Sequence, residues 1–167
     1  MTNFVFQIDG KTVHATPDDV ILTAAERSGI DIPRLCYKPG YRAEGNCRAC
    51  MVEVGDEKLL SAACCRKPTE NMVVRSASGR AASTQKMVLE LLNADISETR
   101  IPDADNELKY WSTRLGVEKK RRFPKRTSTH IDTTNPAISV DLNACIQCTR
   151  CVRACREEQG NDVIGYA

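Results

Sequence analysis

The sequence predicts an α+β chain: a small sheet around one helix, a helical and extended connecting segment, then a short cysteine-bearing block. Three observations predict it. Strand-like runs occur at residues 4–15, 51–54 and 72–75, each bounded by turn formers. Helical spacing appears over residues 21–30 and again from Gly79. The nine cysteines fall into two blocks, Cys36, Cys47, Cys50 and Cys64 with Cys65, and Cys145, Cys148, Cys151 and Cys155. None lies between Arg66 and Ala144.

The elements follow in order. Phe4, Phe6 and Ile8 alternate with Val5 and Gln7, and Asp9-Gly10 turns the chain into Lys11–Ala15, which reads as a hairpin. Thr16-Pro17-Asp18-Asp19 starts a helix carrying Ile21, Leu22, Ala25 and Ile30, and Gly29 ends it. Pro33, Pro39, Gly40 and Gly45 mark a long loop holding three cysteines. Met51–Val54 is a short strand, Gly55-Asp56 turns it toward Leu59–Ala63, and Met72–Arg75 is a further strand. Four or five short strands around one helix make a β-grasp arrangement. From Gly79, Met87, Val88, Leu91 and Leu92 form a helical stripe closing near Asn93-Ala94. Leu108, Trp111 and Leu115 line a second helix ending at Gly116. Residues 127–136 read as an extended linker, and Ile138–Val140 as a strand feeding the second block.

A chain of 167 residues supports one domain or two small ones, and its net charge of +2 selects no partner. The N-terminus lacks a basic region followed by an apolar one, so no secretory signal is read there. No apolar run approaches the ~18 residues that span a membrane. The expected location is the cytoplasm. In such a reducing compartment nine cysteines argue for metal ligation over disulfides. The basic run Arg114, Lys119, Lys120, Arg121, Arg122, Lys125 and Arg126 has only Phe123 as an aromatic neighbour, so a solvated or subunit-docking face is expected and no nucleic-acid partner. His14 and His130 are read as structural or solvated residues. No Walker loop, G-x-G-x-x-G, Ser-His-Asp set or paired-carboxylate motif is present, so no catalytic residue is assigned.

The first block is spaced Cys36-x10-Cys47-x2-Cys50-x13-Cys64. Four thiolates, two on each iron, hold a [2Fe–2S] cluster, and a long glycine-containing loop can wrap one. Gly45 lets the backbone approach closely. Amides of the loop can then donate to sulfur, which favours the reduced cluster. Zinc, disulfides and ordinary buried cysteines are the competing readings; zinc prefers paired C-x2-C units, and this block has one. Neighbouring strand residues face opposite ways, so Cys64 and Cys65 are not both expected to be the fourth ligand. Cys64 is taken because the stretch Cys64 to Met72 resembles the spacing around the fourth ligand in related domains, which leaves Cys65 as a small buried hydrophobe on the other face.

The second block, Cys145-x2-Cys148-x2-Cys151-x3-Cys155, is the bacterial ferredoxin run. Three thiolates on one turn reach three corners of a [4Fe–4S] cluster, and the fourth, Cys155, normally serves the other cluster of a pair. Arg156 stands where such a run often has proline. The run alone completes neither cluster. The expected explanation is that the chain is a piece of a longer protein. A ligand from a partner chain, and closure of a single cluster by Cys155, are the other two.

The segments Val20–Ala25, Ile30–Tyr37 and Gly45–Val54 resemble the ferredoxin-like N-terminal domain shared by the complex I large iron–sulfur subunit, iron-only hydrogenases and certain formate dehydrogenases. Val140–Cys148, Cys151–Glu157, Asn161–Gly165, Leu108–Val117 and Arg122-Phe123-Pro124 resemble the alpha subunit of NAD-dependent molybdenum or tungsten formate dehydrogenase. That resemblance implies a [2Fe–2S] ferredoxin-like domain at 1–78, a connecting segment at 79–136 and a partial [4Fe–4S] ferredoxin-type domain at 137–167. It further implies electron relay between a formate-oxidising Mo/W bis-pterin centre and a flavin-binding iron–sulfur partner subunit. The bis-pterin, FMN and NAD would lie elsewhere, in the remainder of the catalytic subunit and in that partner. In complex I relatives one histidine and three cysteines hold a cluster in the connecting region; this sequence has no cysteine there. The alternatives are a free-standing ferredoxin-like carrier or accessory subunit, and a zinc-stapled interaction module.

Overall fold

The computed structural model describes residues 3–96, 106–117, 123–124 and 131–165. His130, most of the basic run and residues 127–130 of the expected linker lie outside them. The chain forms two compact units, Met1–Gln85 with Thr149–Ala167, and Lys86–Cys148.

In the first unit, β1 (Phe4–Ile8) and β2 (Lys11–Ala15) form the expected hairpin, with Phe4 opposite Ala15 and Ile8 opposite Lys11. Asp9 takes a left-handed φ of 49° at the turn, a conformation Asp tolerates. Its carboxylate then accepts the Ser76 amide at 2.8 Å and the Ser76 hydroxyl. Strands β3 (Met51–Val54), β4 (Ser61–Ala62) and β5 (Val73–Arg75) complete a sheet in the order β2-β1-β5-β3-β4. β1 pairs parallel with β5, and the other neighbours pair antiparallel. Helix α1 (Ile21–Arg27) packs Ile21, Leu22, Ala24 and Ala25 onto Phe6, Ile8, Val13, Val52 and Val74. This is the predicted sheet around one helix. Fully burying a Phe, Ile or Leu side chain contributes roughly 1.5–3 kcal/mol, so these few positions hold the domain together.

Asp19 braces helix to hairpin. It accepts the Thr16 amide at 2.8 Å and hydroxyl at 3.0 Å, the Thr23 hydroxyl at 3.1 Å, and both Arg27 terminal nitrogens at 2.9 and 2.7 Å. Arg27 also donates to the His14 carbonyl at 3.0 Å. The Arg27 guanidinium holds the Asp19 carboxyl well below the usual carboxylate range, against the opposing pull of burial.

Helix α2 (Gly79–Asp95) begins where the helical pattern begins, but the expected stripe is corrected. Met87 and Leu91 are exposed, and the buried positions are Ala81, Gln85, Leu89 and Ala94. Gln85 is buried because its amide nitrogen donates to the carbonyls of Met51, at 2.9 Å, and Ser76, at 3.0 Å.

In the second unit, α3 (Glu107–Arg114) buries Leu108 and Trp111 as expected, and Asn106 caps it by accepting the Lys109 amide at 3.0 Å. Strands β6 (Ile131–Asp132) and β7 (Val140–Asp141) pair antiparallel. Among the described residues no helix is long and apolar enough to cross a membrane. Helix α4 (Arg150–Arg153) and a π-helical turn (Ala154–Glu158) belong to the first unit.

Candidate metal centre

The loop between α1 and β3 delivers three cysteines, and the turn after β4 delivers a fourth. Cys50 immediately precedes β3, whose Met51 pairs with Ala62 of β4, and the Ala63 amide donates to the Cys50 carbonyl at 3.0 Å. The backbone then turns sharply, with the Cys65 and Arg66 amides both donating to the Ala62 carbonyl at 3.0 Å. Amides at the start of α1 fix this turn: Leu22 donates to the Ala63 carbonyl at 2.9 Å and Ile21 to the Arg66 carbonyl at 2.8 Å. The fourth thiol therefore sits in a turn under a helix end. The expectation that it lies on a strand is corrected, as is that of a buried Cys65, because Cys65 is exposed and Cys64 fully buried.

The structure brings Cys36, Cys47, Cys50 and Cys64 together, all buried. They run as a row of neighbours in which Cys36 touches Cys47 and Cys64, and Cys64 touches Cys50. Contacts from the Cys47 and Cys64 thiols pull the Cys36 thiol well below the ordinary thiol range. The Cys64 contact likewise lowers Cys50. Cys47 and Cys64 are pushed up, chiefly because each thiol keeps its proton in a hydrogen bond donated to the Cys36 sulfur, and burial disfavours a further charge. Among the described residues no three His, Cys, Asp or Glu side chains are grouped as ligands of one metal ion. None of the nine cysteines is in a disulfide.

Backbone amides converge on these sulfurs. The Cys36 amide donates to Cys47 Sγ at 3.4 Å. Those of Asn46 and Cys47 point at Cys36, that of Ala49 at Cys47, and that of Cys64 at Cys50. The loop bends this way at Gly45 and Arg48, with φ of 66° and 55°. A Cβ on Gly45 would lie 3.0 Å from Cys65 Sγ, so this position also needs the space. Four buried thiols in two neighbouring pairs, ringed by amide donors, fit a binuclear cluster whose charge is negative.

The second block is split by the unit boundary between Cys148 and Thr149. In one unit, Cys145 and Cys148 are half-buried, and the Gln147 amide donates to Cys145 Sγ at 3.4 Å from a φ of 54°. In the other, Cys151 lies exposed on α4 and Cys155 buried in the π-helical turn. Arg156, which stands where such a run often has proline, pairs with Asp162.

Fold and thiol set together define an iron–sulfur electron-transfer domain. Residues 2–79 match the family described as the 2Fe-2S iron-sulfur cluster binding domain. Over 163 residues, 95% of its length, the chain is 33% identical to the mitochondrial NADH-ubiquinone oxidoreductase 78 kDa subunit of Neurospora crassa, of which it covers 22%. It is 32% identical over 167 residues to the NADP-reducing hydrogenase subunit HndD of Solidesulfovibrio fructosivorans, covering 28% of that protein. The chain thus spans less than a third of the length of these relatives. A chain of a crystal structure of NAD+-reducing [NiFe]-hydrogenase in the H2-reduced state superposes with a TM-score of 0.85 at 28% identity, over 98% of this chain and 71% of that one.

Sequence reasoning missed one residue beside this centre. Arg153 is 2% exposed, and its guanidinium donates to the carbonyl of Cys36. The only sequence signal is a cation flanked by Val152, Ala154 and Cys155.

Proposed function

We propose that this chain is the iron–sulfur relay segment of an NAD-linked oxidoreductase. The buried quartet Cys36, Cys47, Cys50 and Cys64, with its ring of amide donors, carries this reading. These thiolates would hold a [2Fe–2S] cluster, which supplies reversible one-electron transfer when bound; plant-type centres sit near about −400 mV. The chain's own work is to bind the irons, bury them, and aim dipoles that favour the reduced charge. Cys145, Cys148, Cys151 and Cys155 would serve [4Fe–4S] ligation, with Cys155 going to the same or a second cluster. The functional division 1–78, 79–136 and 137–167 belongs to this proposal. A reducing, cytoplasmic setting belongs to the same proposal, since thiolate-bound clusters persist where disulfides do not form.

The electron donor is read as a formate-oxidising Mo/W bis-pterin centre, and the acceptor as a flavin- and NAD-binding partner subunit. The relatives above are hydrogenase and NADH-ubiquinone oxidoreductase subunits by name. The formate reading rests on the resembling segments at 108–117, 122–124 and 140–165 and on the lack of any cysteine between Arg66 and Ala144. The test is to purify the native complex containing this chain anaerobically and follow its visible iron–sulfur absorbance. Bleaching on adding formate, reversed by NAD+, supports the reading. Bleaching by hydrogen or NADH but not formate overturns the formate assignment and leaves the relay. A native complex in which this chain carries zinc and no iron overturns the relay.

A further inference from the structure

Arg153 is a buried cation tied to the thiol-bearing loop. Its Nη2 donates to the Cys36 carbonyl, its Nη1 to the Arg42 carbonyl at 2.9 Å, and its Nε to Thr149 Oγ1 at 3.2 Å. The guanidinium lies over the Tyr41 ring, 5.7 Å from its centroid. The Glu44 carboxylate faces it, with Oε2 3.7 Å from Arg153 Nε. Glu44 is itself held by the Thr149 hydroxyl at 2.6 Å and the Asn46 amide nitrogen at 3.2 Å. Beside it, Arg150 donates to the Tyr37 carbonyl at 2.9 Å, and Glu157 accepts the Arg42 amide at 3.0 Å. A segment more than a hundred residues along the chain therefore grips the loop from Cys36 to Asn46, largely by its backbone.

We propose that Arg153 and Glu44 are a charge pair that sets the reduction potential of the [2Fe–2S] centre, with Arg153 the positioning residue that acts through Cys36. This rests on the reading that the quartet holds that cluster. One-electron reduction adds one negative charge to the centre. A buried positive charge one hydrogen bond from a ligand's backbone favours that charge in a low-dielectric surrounding, and a nearby carboxylate opposes it. The cation sits on the segment that carries Cys151 and Cys155, so seating of that segment on the loop sets the potential of the first centre.

The test is a dithionite titration of the reconstituted full chain, with the [2Fe–2S] electron paramagnetic resonance (EPR) signal read against solution potential. Arg153→Met is expected to lower the reduced-to-oxidised ratio at the wild-type midpoint about tenfold, a shift of about −59 mV for a one-electron couple. Arg153→Lys keeps the charge and is expected to restore most of that shift. Glu44→Gln, at a half-exposed position, is expected to move the midpoint the opposite way. A purely structural network would shift both variants in the same direction, because each loses hydrogen bonds of the same network. Same-sign shifts, or an unmoved midpoint in Glu44→Gln and Arg153→Met with the signal intact, overturn the proposal. A wild-type chain that takes up no [2Fe–2S] cluster overturns the underlying reading instead.

Discussion

The two cysteine blocks use the same local device and reach different ends. Each places a non-glycine residue at left-handed φ inside a C-x-x-C turn, Arg48 at 55° and Gln147 at 54°. Each aims an amide at a sulfur, from Cys36 to Cys47 and from Gln147 to Cys145, both at 3.4 Å. What separates them is the surrounding fold. The first four thiols are buried within one sheet-and-helix unit, and the start of α1 pins the turn that carries Cys64. In the second block Cys151 is exposed, and the four cysteines are divided between two units. A cysteine spacing specifies a turn; burial by a complete domain makes that turn a finished site.

The largest effect expected is on the first block. Cys47→Ser should abolish the [2Fe–2S] EPR signal and lower the unfolding temperature of the reconstituted chain, because metal binding is coupled to folding. Cys145→Ser should leave that signal in place, since Cys145 belongs to the other unit. If Cys145→Ser removed it, the comparison of a self-sufficient block with a dependent one would fail.

A middle-sized effect is expected from the brace that positions α1. Asp19→Asn should destabilise the first unit by about 1–2 kcal/mol, allowing for the half-exposed Arg27 partner. The sign with pH follows from the lowered carboxyl. A depressed folded value gives stability that is fully present above the unfolded value, about 3.9, and is lost as pH falls toward the folded one. The gap in unfolding temperature between wild type and Asp19→Asn, measured calorimetrically, should therefore be widest near neutrality and narrow below about pH 4. A gap independent of pH would sink the ion-pair account.

Gly45→Ala should cost about 1–3 kcal/mol, since alanine at a φ of 66° is strained and its Cβ would crowd Cys65 Sγ. Cys65→Ser is the smallest change, expected within about 0.5 kcal/mol and with the cluster signal intact, because that thiol is exposed. Loss of the signal in Cys65→Ser would mean that the wrong member of the pair had been chosen.

Much of this was legible locally. The hairpin follows from Phe4, Phe6 and Ile8 alternating ahead of Asp9-Gly10, and α3 from Leu108 and Trp111 closed by Gly116. What could not be read depended on distant partners. Cys64 looked like a strand residue, but β4 is two residues long and the chain then folds under the amides of Ile21 and Leu22. The stripe on α2 was misplaced because a polar side chain, Gln85, is buried by carbonyls of Met51 and Ser76 that no periodicity reveals. Arg153 meets Cys36 across 117 positions of sequence, and only the folded chain shows it.

The central claim is that Cys36, Cys47, Cys50 and Cys64 form a complete [2Fe–2S] site. Iron and acid-labile sulfide analysis of the reconstituted chain, compared with its Cys64→Ser variant and paired with EPR of the dithionite-reduced samples, tests it most directly. The account predicts a reduced [2Fe–2S] signal in the wild type that vanishes in Cys64→Ser, with the matching loss of iron and sulfide. An unchanged signal in Cys64→Ser, or a colourless wild type holding zinc and no iron, would contradict it.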